Sequence, residues 1–349
     1  MQSSIAAESD ALSLLLRTVD KDPFKSSIYR LNSLFNIYAG TCPAPLPSSG
    51  LILTPEIRAQ CEQYLPISGI SSTFNHLYSA ALSYQPILSS TPFHNAMSWA
   101  DVFAALPSQF QFSANPARLL EALLDDRDLL TRFLFASFQP ERFYGGRARY
   151  PEQHGYIRHW LGMKKSVPLK CLDAACGTGD ETYALALLLS AGGFRTENVL
   201  IDGWTLDPLE VWSATYRRFP HNRRRERTLR DATSTLMQEG YNRRISFCCG
   251  DILALDSSPT FKSDTGYFDL ILCNGLLGGP ILHENKELEV AIRNLARVLA
   301  PGGILLAADN FHGGWKQKCP QSELRALFEK NGLKTFDAGE GIGGLKADQ

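Results

Sequence analysis

From Lys170 onward, five short apolar runs rich in β-forming residues alternate with stretches of helical spacing, and this alternation limits the fold more than any other feature of the chain. The runs are KCLDAA (170–175), VLIDGWTLD (199–207), RISFCCGD (244–251), FDLILCNG (268–275) and GILLAADN (303–310). Between and after them lie helical patterns at 181–190, 209–218, 285–299 and 322–331. Strands that are apolar almost without interruption are covered on both faces. Separated by helices, they predict an α/β fold: a doubly wound, mostly parallel sheet that binds its ligand at the carboxyl ends of the strands.

The first 140 residues lack this alternation. Apolar residues recur with helical spacing over 12–38, broken at Asp22-Pro23, and again over 55–64, 98–106 and 116–138. CPAPLPSSG (42–50) reads as an exposed loop. The chain is therefore expected to divide into a helical region, 1–140, acting as a lid, a dimerisation element or a substrate or partner domain, and a ligand-binding domain, 141–349.

Charge adds an exclusion, since 35 Lys and Arg against 36 Asp and Glu leave no global field to draw the chain to nucleic acid or an anionic membrane. The eight cysteines form no CxxC pair and no Cys/His cluster at zinc spacing, so no metal is expected. Cysteines in apolar runs, acidic Glu8 and Asp10 ahead of the first short apolar stretch, and the lack of a long apolar span predict a cytoplasmic chain with no membrane segment. Oligomeric state leaves no mark in the sequence.

The first strand runs into CLDAACGTGDET (171–182), a strand, a tight glycine turn and a helix start. The dinucleotide fingerprint wants a third glycine where Thr182 stands. Asp173-x-Ala175-x-Gly177-x-Gly179 instead resembles motif I of the class I S-adenosylmethionine-dependent methyltransferases. Asp207 ends the second strand, where a carboxylate accepts ribose hydroxyls, a feature that nicotinamide enzymes share. Cys249-Gly250-Asp251 ends the third strand, and Leu299-Ala300-Pro301-Gly302-Gly303 resembles that superfamily's turn before strand five. The resemblance implies a seven-stranded Rossmann-like sheet with S-adenosyl-L-methionine as cofactor. It places Asp173, Ala175, Gly177, Thr178, Gly179, Asp207, Asp251, Ile252, Asn274 and Arg149 around that cofactor.

Within the superfamily, AACGTGDETYALALLL (174–189) and FDLILCNGLL (268–277) are similar to segments of the chemotaxis receptor (CheR-type) carboxyl methyltransferases, a resemblance covering roughly 140–313. It implies a carboxylate as one acceptor. The chain departs from that pattern in three places. Phe143-Tyr144-Gly145-Gly146-Arg147 stands where the family has Phe-Phe-Arg, and Cys273-Asn274-Gly275 where it has Cys-Arg-Asn. The family's β-hairpin subdomain would fall within 209–240, which is helical and basic here.

Methyl transfer is an in-line displacement, so the protein mainly aligns the acceptor and, for a hydroxyl or amine, removes a proton. Asn274, His312 and Tyr150 are the catalytic candidates by position. Asn274-Gly275 is equally a good turn pair, and His283 and His312, in loops after strands four and five where a base would be placed, read first as exposed loop histidines. Tyr144, Arg147 and Arg149 could contact the cofactor carboxylate or an acidic acceptor. RRFPHNRRRERTLR (217–230) reads first as a solvated helical face, with docking of an acidic partner or nucleic acid as its functional alternative. Taken together, the expected function is methyl transfer from S-adenosylmethionine to a small-molecule or protein acceptor. A catalytically silent module that senses the cofactor or docks a partner, and a nicotinamide enzyme, stand as alternatives.

Overall fold

The computed structural model describes residues 2–140, 149–164, 168–255, 267–279, 281–308 and 319–348, with side chains from Ala7 onward. The chain forms two compact units, Met1–Glu141 with Phe219–Arg223, and Arg142–Arg218 with Arg224–Gln349.

The first unit contains α1 (Gln2–Leu15), α2 (Lys25–Thr41), α3 (Pro55–Tyr64), α4 (Ile67–Ala81), α5 (Trp99–Ala105), α6 (Pro116–Asp125) and α7 (Arg127–Phe138). Asp22-Pro23 opens a single 3-10 turn that separates α1 from α2. Thr54, Ser98 and Asn115 accept backbone N–H bonds at the starts of α3, α5 and α6, and Pro55 and Pro116 take first-turn positions where no N–H is needed. The helical pattern over 116–138 is two helices. Asp126 is extended and its carboxylate accepts the N–H groups of Asp128 and Leu129, so it ends one helix and caps the next. Helix α4 was not expected, because its serines and Gly69 obscure the pattern. Its buried face, Ile70, Phe74, Leu77, Tyr78 and Ala81, nevertheless follows helical spacing. Phe74 stacks on Phe93 at 4.7 Å, and the Tyr78 hydroxyl donates to Ser137 at 2.9 Å within this core. Burial of each such ring contributes roughly 1.5–3 kcal/mol.

The second unit is built on a seven-stranded sheet, as expected: β1 (Leu169–Asp173), β2 (Val199–Thr205), β3 (Ile245–Cys249), β4 (Phe268–Leu272), β5 (Leu299–Ala308), β6 (Leu333–Ala338) and β7 (Gly341–Lys346). The order is β3-β2-β1-β4-β5-β7-β6. Strands β1 to β5 pair in parallel, and β7 runs antiparallel to both β5 and β6. Between the strands lie α9 (Asp180–Ala191), α10 (Pro208–Tyr216), α11 (Arg223–Gln238), α12 (Asn285–Val298) and α13 (Gln321–Lys330), with α8 (Pro151–Met163) ahead of β1. Successive strand residues feed opposite faces. Leu172, Ile271 and Leu305 join Leu288, Ile292 and Phe328 in one cluster, while Cys171, Leu270 and Ile304 join Trp160, Leu185 and Leu236 in the other.

Two local expectations change. The Pro301-Gly302-Gly303 segment is a bulge inside β5 and not a turn before it: Phe268 pairs with Leu299, and Leu270 next pairs with Ile304. The β6–β7 hairpin had no strand signal, because β7 reads GIGGLK. A Cβ on Gly341 would lie 2.0 Å from the Ala307 carbonyl oxygen, and one on Gly343 would lie 2.2 Å from the Phe336 ring, so close packing requires the glycines. Among the described residues no helix is long and apolar enough to cross a membrane.

Candidate functional site

The strand order reverses at β1, which sends one connection to β2 and has β4 on its other side, opening a crevice at the carboxyl ends of these strands. The glycine turn sits there. The N–H of Ala174 donates to Leu272 at 2.7 Å and that of Cys176 to Trp204 at 2.9 Å, stitching the turn to β4 and β2. Gly177 and Gly179 have φ of 50° and 85°, conformations that favour glycine. A Cβ on Gly179 would also press on Phe247 at 3.0 Å and Ala214 at 3.1 Å.

Asp173 is 1% exposed at the end of β1. Burial pushes its pKa up to about 7; the Thr182 hydroxyl bond opposes the rise, and the charges of Glu181 and Asp180 add to it. Thr182 donates that bond at 2.7 Å. The residue that replaces the third glycine of a dinucleotide site therefore satisfies a buried carboxyl group, which glycine could not do.

Asp207 is 6% exposed and caps α10, accepting the Leu209 N–H at 2.8 Å. Asp251 is exposed beyond β3 and accepts the Leu253 N–H at 2.8 Å, with Ile252 buried beside it. The intervening Gly250 donates to Thr205 at 3.0 Å, and a Cβ there would lie 2.9 Å from Trp204. Asp173, Asp207 and Asp251 thus follow the carboxyl ends of three neighbouring strands.

On the β4 side, Asn274 is 8% exposed and forms a reciprocal amide pair with Gln153 of α8, donating at 2.8 Å and accepting at 3.0 Å. Its oxygen also accepts the Ala308 N–H at 2.9 Å. Asn274 therefore ties α8, β4 and β5 together, which its turn-like sequence context did not reveal. Tyr150 is buried at the start of α8, with its hydroxyl and an Arg149 guanidinium nitrogen lying 3.8 and 4.0 Å from where a Cβ on Gly275 would be. Glu340, from the turn between β6 and β7, accepts the N–H groups of Glu152 and Gln153 at 2.9 and 2.8 Å and so caps α8. His154 of α8 meets Glu181 of α9 at 3.0 Å. Gln153, His154 and Glu340 escaped the sequence reading; only Pro151, a first-turn proline, hinted at the helix that carries the first two. His283 lies 3.6 Å from Glu284 in the connection ahead of α12. His312, Tyr144 and Arg147 lie outside the described residues.

The arginine-rich stretch is not a solvated face throughout. Arg217 donates to Thr233, Arg218 to Glu226, and Arg230 to the carbonyls of Arg217 and Tyr216. Arg225 reaches the glycine turn, donating to Asp180 and to the Thr178 hydroxyl. Arg223, Arg224 and Arg227 remain exposed.

Residues 224–334 match the model of a family described as a methyltransferase domain. A curated relative, the "Probable biofilm formation methyltransferase WspC" of Pseudomonas putida, is 28% identical over 173 residues, 45% of this chain and 38% of its own length. The chain thus covers well under half of that relative. Solved structures similar in fold include the N-methyltransferase NodS from Bradyrhizobium japonicum, 16% identical over 58% of this chain and 99% of that one, with a TM-score of 0.36. An S-adenosylmethionine-dependent methyltransferase from Aquifex aeolicus is 13% identical over 55% of this chain and 87% of that one, also with a TM-score of 0.36. The chemistry of the site fits S-adenosylmethionine: glycines at positive φ allow close backbone approach, and carboxylates at the ends of β2 and β3 could serve as acceptors for hydroxyl and amino groups. The match to a methyltransferase domain over 224–334 and the order of the sheet support S-adenosylmethionine as the cofactor.

Proposed function

We propose that the chain is an active enzyme that transfers the methyl group of S-adenosylmethionine to a carboxylate on a protein or small molecule. The observation that carries the cofactor half of this reading is the row of Asp173, Asp207 and Asp251 beside the Gly177–Thr178–Gly179 turn. In it, Asp207 accepts the ribose hydroxyls, and Asp251 and Ile252 hold the adenine. The turn, with Ala175 and the start of α9, receives the amino-acid end. When bound, the cofactor supplies an electrophilic sulfonium methyl. A carboxylate acceptor is already deprotonated at neutral pH and needs no general base.

The acceptor half rests on different support. AACGTGDETYALALLL is similar to the first motif of the chemotaxis receptor carboxyl methyltransferases. Arg149 and Tyr150 beside Gly275 offer a guanidinium and a hydroxyl to orient a carboxylate. Exposed Arg224 and Arg227 would favour an acidic acceptor. Asn274 acts in this scheme by holding α8, and with it Tyr150, in place over the end of β4.

The test is S-adenosylhomocysteine formation on a panel of acidic peptides, small carboxylates, amines and phenols. Turnover confined to carboxylates is the expected result. Turnover on amines or phenols alone would overturn the acceptor class, and cofactor binding without turnover on any acceptor would favour a silent, cofactor-sensing module.

A further inference from the structure

Arg225 lies 45 residues beyond Asp180 in sequence, in an arginine-rich stretch whose composition suggests a solvated face. Its guanidinium instead sits against the cofactor turn, 2.5 Å from the Asp180 carboxylate and bonded to the Thr178 hydroxyl. The side chains of the ion pair are only 14% and 15% exposed, and Thr178 is fully buried. Thr178 also donates to Asp180 at 3.1 Å, so three side chains close a small network over the tip of the turn.

Two physical needs meet there. A turn with glycine on both sides of Thr178 is free to sample many conformations, and ordering it on ligand binding costs entropy. In addition, Asp173, Asp180 and Glu181 gather three carboxyl groups where an anionic ligand group would approach the start of α9. An unpaired Asp180 would repel such a group. A guanidinium meets both needs, because its planar fork can hold a carboxylate and a hydroxyl together where an ammonium is a single point charge. The helix that carries it is fixed independently, through buried Leu229, Thr233 and Leu236 and the Arg218–Glu226 pair.

We propose that Arg225 is a positioning residue for the cofactor: by clamping Thr178 and Asp180 it holds the glycine turn in its binding shape and cancels the charge that would repel the amino-acid carboxylate of S-adenosylmethionine. This rests on the cofactor-binding mode proposed above, in which the turn receives the amino-acid end and Asp207 and Asp251 hold the nucleoside.

The experiment is calorimetric titration of the full chain with S-adenosylhomocysteine and with 5′-methylthioadenosine, which keeps the nucleoside and lacks the amino-acid carboxylate. Wild type, Arg225→Gln, Arg225→Lys, Asp180→Asn and the Arg225→Gln/Asp180→Asn double variant are compared, with melting temperatures of the ligand-free proteins. Arg225→Gln is expected to weaken S-adenosylhomocysteine binding about tenfold or more, a loss on the scale of one charge-assisted hydrogen bond, while methylthioadenosine binding stays within about twofold. Arg225→Lys should recover part of the loss, and the double variant should lose less than the sum of its singles. Equal weakening of both ligands would assign Arg225 a merely structural role and overturn the proposal. So would unchanged S-adenosylhomocysteine binding in folded Arg225→Gln or, if that variant does not fold, in Arg225→Lys and Asp180→Asn. Failure of the wild type to bind S-adenosylhomocysteine at all would instead refute the underlying cofactor mode.

Discussion

The two sides of the sheet's carboxyl edge are held by different means. On the β1–β2–β3 side the three candidate carboxylates are fixed locally: Thr182 bonds Asp173 nine residues away, and Asp207 and Asp251 each accept an N–H two residues on. On the β4–β5 side the fixing bonds join remote residues, with Gln153 and Asn274 separated by 121 positions and Gln153 and Glu340 by 187. The carboxylates of the proposed cofactor side are thus set by three short segments, with Arg225 reaching the turn from α11, whereas the β4 side exists only once α8 has docked. Damage to the first should remove cofactor affinity, and damage to the second should remove stability and acceptor alignment first.

The largest effect is expected at Gly179. Gly179→Val imposes a β-branched side chain at a φ of 85° and presses on Phe247 and Ala214, at a cost of about 2–4 kcal/mol. Cofactor binding should vanish even where circular dichroism shows a folded protein. Next comes Asn274→Ala, which strands the Gln153 amide and the Ala308 N–H and should cost about 2–3 kcal/mol in denaturant unfolding. If the two sides are separable, this variant keeps S-adenosylhomocysteine affinity within a few-fold; a loss as large as that of Gly179→Val would break the comparison.

Thr182→Val should cost about 1–2 kcal/mol at pH 8, with a smaller cost near pH 5.5. The sign follows from Asp173, whose folded pKa of about 7 lies above its unfolded value of about 3.9. Its stabilising contribution is fully present below about pH 4 and is lost as pH rises through about 7. Removing the Thr182 hydroxyl destabilises the carboxylate form and raises the pKa further, so the penalty falls mainly at the alkaline end. Stability measured at both pH values checks this, and Asp173→Asn should flatten the wild-type slope between them. A comparable effect belongs to Glu340→Gln, which keeps one of the two acceptors at the start of α8, turns an NH2 donor against the other N–H and removes the charge, for about 1–2 kcal/mol, of which the charge part diminishes with added salt.

This division also governs what the sequence could disclose. Strand periodicity is a local pattern that disclosed the five parallel strands, and the spacing of Asp173, Gly177 and Gly179 with the acids after β2 and β3 led, through the methyltransferase resemblance, to the seven-stranded sheet and to S-adenosylmethionine. Arg225 was hidden because composition cannot tell an arginine folded back on a turn from one in water. Asn274 read as half of a turn pair, because its partner Gln153 precedes β1 and nothing in the sequence pairs two amides across 121 residues. Strand β7 was hidden by its glycines, which contacts with Ala307 and Phe336 require but β-propensity disfavours.

The most direct test of S-adenosylmethionine binding on the β1–β2–β3 side is calorimetric titration of wild type and Asp207→Asn with S-adenosylhomocysteine and with NADH. The asparagine retains an oxygen to cap α10 and exchanges the other acceptor for a donor. Micromolar binding of S-adenosylhomocysteine alone, weakened by about 1–3 kcal/mol in Asp207→Asn, is the predicted result. Binding of NADH in its place, or no S-adenosylhomocysteine binding by folded wild-type protein, would contradict it.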